Sequence, residues 1–139
     1  MQGFVKSVDK IDLTLEKKFF AKEILLLLQL HSKISQGLVI EWIGDKPNAI
    51  TSIDFDLTEL KPLGNKKFSI ETPKLLPVKI KSAIRISCIS KNSNIEVLLF
   101  DTKPKKLSKS EIEKLEDLQG LLKLLFNANT LQNKHRVNF

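Results

Sequence analysis

The stretch "VKIKSAIRISCIS", Val78 to Ser90, is the strongest constraint on how this chain folds. A period of two places Val78, Ile80, Ile84, Ile86 and Cys88 on one strand face. Lys79, Lys81, Arg85 and Ser87 fall on the other. A turn, "KNSN", returns the chain into "IEVLLF", Ile95 to Phe100, which is apolar on both faces. A strand of that kind needs cover on both sides, so it belongs near the middle of a sheet. The hairpin therefore calls for further strands beside it and an apolar layer stacked upon it.

Two helices are placed to supply that layer. Thr14 to about Gln36 reads as the first, with Thr14 as N-cap, Glu16 in the first turn and Gly37 as C-terminal cap. Phe20, Ile24, Leu27, Leu28 and Ile34 form its apolar stripe, and Leu25, Leu26 and Leu30 widen it beyond one face. A helix apolar on more than one side is usually covered on more than one side. Leu25, Leu26 and Leu30 are therefore candidate interface residues, for a second copy or another protein.

Ser108 to about Asn127 reads as the second helix. Ser108 and Glu111 form a capping box, and Leu107 is placed to staple onto Ile112. Ile112, Leu115, Leu118, Leu122 and Leu125 make the stripe, and Gly120 leaves room for close approach of another element. Residues 1–128 are expected to form one domain and 129–139 a polar tail.

Between the helix signals lie short strand signals. Leu38 to Ile43 is one, followed by the turn residues "GDKPN". Thr51, Ile53, Phe55 and Leu57 alternate with Ser52, Asp54 and Asp56, the pattern of a half-buried strand. Phe68 to Glu71 is a third, ahead of the connector "TPKLLP". The order gives an α+β fold: a single domain with an antiparallel β-sheet and N- and C-terminal helices packed on one face.

Chemistry-bearing patterns are sparse. His31 lies at helical spacing between Leu27 and Ile34 and His135 in the tail, with no cluster to bind a metal. Cys88 alternates with core isoleucines and reads as a small buried hydrophobe. Asp54 and Asp56 read as a solvated strand face. There is no nucleophile elbow and no Gly-rich phosphate loop. The expectation is no enzyme, no cofactor and no metal. The N-terminal "MQGFVKSVDKIDL" lacks a signal-peptide core, and "ILLLL" is far too short for a membrane span, so a cytoplasmic location is expected.

Charge is the remaining signal. The net +7 is concentrated between Lys61 and Lys91, where eight cations face Glu71 alone. Lys79, Lys81 and Arg85 project from one strand face as a candidate ligand or anion-binding row, suited to an anionic small molecule or an acidic protein surface. The alternative is a nucleic-acid-associated protein using the same row. Phe68 is the only aromatic in that segment, which disfavours single-strand stacking.

The closing segment "VLLFDTKPKKLSKSEIEKLEDLQGLL" resembles the end of many bacterial GAF domains. There an apolar strand ends in Asp, a basic Pro-containing turn follows, and a Leu-Ser cap opens the last helix. Asp101, Pro104, Leu107, Ser108, Leu115 and Leu118 match in order and spacing. The likeness covers Ile84 to Phe126, about a third of the chain. It implies a GAF/PAS-like fold and a non-catalytic regulatory, sensory or assembly module, commonly dimeric through its flanking helices. The bilin-binding cysteine and the NKFDE-type motif of cyclic-nucleotide binders are missing, and the lid region is short. A reduced ligand pocket is implied, any cleft lying on the sheet face away from the helices.

Overall fold

The computed structural model describes residues 10–31, 36–51, 57, 60–71, 80–101 and 108–137. Helix α1 (Lys17–His31) leads into strands β1 (Gln36–Ile43), β2 (Lys46–Ala49), β3 (Phe68–Glu71), β4 (Ser82–Ser90) and β5 (Ser93–Asp101), and helix α2 (Lys109–Val137) closes the chain. Among the described residues the strands form one sheet in the order β2-β1-β5-β4-β3, with every pairing antiparallel. The expected α+β architecture is present, with both helices on one face.

β5 is the central strand, as its two apolar faces require. Ile95, Val97 and Leu99 pack under the helices beside Val39, Ile84, Ile86 and Cys88. Leu98 and Phe100 face the other way, with Leu38, Ile40, Trp42, Ile80 and Ala83. Ile80 thus departs from the expected face. The β4 ladder begins only at Ser82, opposite Asp101, so strand parity does not extend back to Ile80.

α1 and α2 seal the first face. Phe20, Ala21, Ile24, Leu25 and Leu28 meet Leu115, Leu118, Leu122, Leu125 and Phe126 over the sheet. The Phe20 and Phe126 rings pack edge to face, their centroids 5.3 Å apart, a geometry favoured by the ring quadrupole.

Several local expectations change. α1 begins at Lys17; Thr14 lies before it, its amide and hydroxyl both donating to Asp12 Oδ1 at 2.9 and 2.6 Å. Asp12 thus anchors the turn that Thr14 was expected to open as a cap. Gly37 sits inside β1, where a Cβ would come within 2.7 Å of Leu25 Cδ2. Its role is to let α1 approach the sheet, not to end the helix. The β1–β2 turn needs only Gly44, at φ 63°, and Asp45. Lys46 to Ala49 already form an edge strand, where Pro47 is tolerated.

α2 keeps its capping box. The Glu111 amide donates to Ser108 Oγ at 3.2 Å, and the Ser108 amide donates to Glu111 Oε1 at 3.4 Å. Its far end differs: residues 129–137, expected as polar tail, are its last turns. Asn129 is buried there and donates to the Leu13 and Leu15 carbonyls at 2.9 and 2.8 Å. Polar residues hold this end through hydrogen bonds to backbone ahead of α1, a device invisible to an apolar pattern. Among the described residues a Cβ at Gly120 would meet nothing within 4 Å, so no described element approaches it closely. Residues 52–56, within the expected Thr51–Leu57 strand, and Leu107, the expected staple, lie outside the described residues.

Candidate functional site: the far sheet face and the outer helix faces

The expected basic row does not form as drawn. Lys79 lies outside the described residues. Lys81 is exposed just before β4, its amide donating to the Asp101 carbonyl at 2.9 Å. Arg85 is buried, and its side chain is 5% exposed. Its parity was read correctly, away from the helices, but that face is not solvent. Leu57 and Leu60 pack over it, and Leu63 and Ile80 are buried.

A cation so enclosed needs a partner, and the neighbouring strand supplies one. Glu96 stands opposite Ser87, diagonally across from Arg85. Arg85 Nε donates to Glu96 Oε2 at 2.7 Å and Nη2 to Oε1 at 2.9 Å. Trp42 Nε1 donates to the same Oε1 at 3.0 Å, and Arg85 Nη2 also reaches the Lys61 carbonyl at 2.7 Å. The Glu96 side chain is 1% exposed. The result is a bidentate fork of the kind guanidinium planarity favours, tied at one end to β1 and at the other to the covering segment.

Sequence reading missed Glu96, although a signal existed. It is the lone acid in "IEVLLF", and the "KNSN" turn sets it near the lone Arg of "SAIRISCIS".

Glu96 also bears on Cys88. Burial first, and the Glu96 charge second, push the Cys88 thiol far above its ordinary pKa. Cys88 is fully buried in the helix-side core, as expected of a structural thiol. Its modification by a thiol reagent at pH 8 should therefore track global unfolding and be slowed in proportion to stability. Rapid stoichiometric labelling of the native protein would show the site to be open.

The second candidate surface is on the helices. Leu25 is withdrawn from the expected interface trio, because it packs on Gly37 and is buried. Leu26 and Leu30 remain exposed, at 50% and 73%. Phe19, missed in the sequence, joins them seven residues before Leu26, directly opposite the buried stripe of α1. On α2, Leu124 and Leu131 are likewise exposed, opposite the Leu118–Leu122–Leu125 side. The two helices lie side by side on the sheet, so five large apolar side chains decorate one outer layer.

Among the described residues no group of His, Cys, Asp or Glu is arranged to hold a metal ion, and no helix is long and apolar enough to cross a membrane.

The chain has the fold of a GAF domain. Among solved structures it is similar to the GAF domain of a protein described as a sensor histidine kinase from Pseudomonas syringae pv. tomato. The likeness covers 99% of this chain and 89% of that one, with a TM-score of 0.67 and 18% sequence identity. No family model matches the chain, and no curated protein does.

Proposed function

We propose that this domain is a non-enzymatic regulatory or assembly module that works through protein–protein contact made by the outer faces of α1 and α2. The observation that carries this reading is the exposed set Phe19, Leu26, Leu30, Leu124 and Leu131. Single exposed apolar residues need no explanation, but an aligned set on adjoining helices is the mark of an interaction surface. The GAF fold, a frequent home of sensory and regulatory domains, agrees with it.

The occupant we assign is a second copy of this chain. Exposed Lys18 and Lys22 flank the α1 stripe, whereas the first half of α2 exposes Glu113, Glu116 and Asp117. α1 of one copy thus suits α2 of another in charge as well as in apolar character, and a two-fold axis repeats the contact. Glu23 on α1, and Lys109, Lys114 and Lys123 on α2, interrupt the two patterns.

Sedimentation equilibrium at high-micromolar concentration should give twice the 15.8 kDa chain mass. Leu30→Asp combined with Leu124→Asp should return it to the monomer while changing stability by no more than about 0.5 kcal/mol per site. A wild-type protein that stays monomeric would remove the self-association reading.

The nucleic-acid alternative depended on Lys79, Lys81 and Arg85 acting together, and Arg85 is committed to Glu96. Phe68, the aromatic that would have to stack, packs against the helix-side core. Exposed Lys61, Lys66, Lys67, Lys81 and Lys91 leave an acidic protein surface as the better match to the remaining charge. A cytoplasmic location accompanies this reading.

A further inference from the structure

The far sheet face has the make-up of a small-anion receptor. Its walls are Leu38, Ile40 and Leu98, and a few convergent polar groups meet inside them. Arg85 presents its fork, Trp42 adds an indole N–H, and the Lys61 carbonyl holds the guanidinium from the side. Sites for small ligands are built in this way, apolar with a few placed donors. Here the place of the ligand carboxylate is taken by a group of the chain itself.

We infer that Glu96 is the tethered ligand of a carboxylate site formed by Arg85 and Trp42, so that this face is closed to free anions in the native protein. Three donors converge on the Glu96 carboxylate, and its side chain is almost fully enclosed. A carboxylate fixed on the adjoining strand has an effective concentration no dissolved anion matches. The lysine-rich surface therefore does not lead to an Arg-lined pocket. The covering segment is held down through the Lys61 carbonyl whether or not any small molecule is present. This inference is independent of the helix-face reading, which is tested by mass.

Glu96→Ala removes a CH2–COO⁻ unit, the atoms of acetate. Trp42 is the only tryptophan in the chain, so its emission reports this site alone. In the wild-type protein, acetate or formate titrated at constant ionic strength should alter neither Trp42 emission nor the melting temperature. In Glu96→Ala the melting temperature should fall by about 10 °C. Acetate should then restore at least half of that loss, saturably, with recovery of the Trp42 spectrum. Acetamide at equal concentration should not, and Arg85→Met/Glu96→Ala should be insensitive to acetate.

If Glu96→Ala does not fold alone, refolding in acetate against chloride makes the same comparison, and recovery in acetate alone supports the inference. Absence of acetate rescue in either format overturns it. So does a saturable acetate response of Trp42 in the wild-type protein, or an acetate response that survives loss of Arg85.

Discussion

Arg85→Met should destabilise the domain by about 3–5 kcal/mol, because it strands the Glu96 carboxylate in an interior where, among the described residues, Trp42 alone still donates to it. The large figure reflects what is left behind, not the worth of the ion pair itself. Replacing both partners, as Arg85→Met/Glu96→Leu, should therefore recover at least half of the loss, since matched apolar groups often substitute for a buried pair. The residual deficit comes from Trp42 Nε1 and the Lys61 carbonyl, which lose partners. Urea denaturation of wild type, both single variants and the double variant closes the cycle. Additive losses would mean that Arg85 and Glu96 are not energetically coupled.

Phe126→Ala is the second large effect, expected at about 3–5 kcal/mol. Phe126 is fully enclosed beneath the helices, and its ring meets Phe20 edge to face. Its loss leaves a cavity where α1, α2 and the sheet converge, and the rigid flanking helices prevent full collapse. The consequence for function is specific. The outer stripe is shared between α1 and α2, so loosening their seam should weaken self-association even at temperatures where the variant remains folded. Circular dichroism melting and sedimentation of the same samples separate the two effects. Unchanged self-association in a destabilised but folded variant would show that α1 and α2 do not present one joint surface.

Compared with these substitutions, the sequence was informative in uneven ways. The capping box at Ser108 and Glu111 was legible because it is local: four consecutive residues carry all its partners. The β4–β5 hairpin was legible because alternation and a short turn determine its register. Leu25 and Leu26 were harder to separate, because neighbours on a helix differ by 100° and only docking decides which one meets the sheet. Asn129 was misread for a different reason. Its burial depends on carbonyls of Leu13 and Leu15, more than a hundred residues away in sequence.

What the sequence determined by itself was the order of elements, the central position of β5, and the side of β4 from which Arg85 projects. These follow from periodicity and capping, which act within a few residues. Only the tertiary structure decided that the face carrying Arg85 is an interior. That outcome depends on Leu57 and Leu60 packing over the sheet and on Glu96 arriving from the next strand. A charge is read as solvent-facing until something covers it, and cover is a property of distant segments brought together, not of the strand that bears the charge.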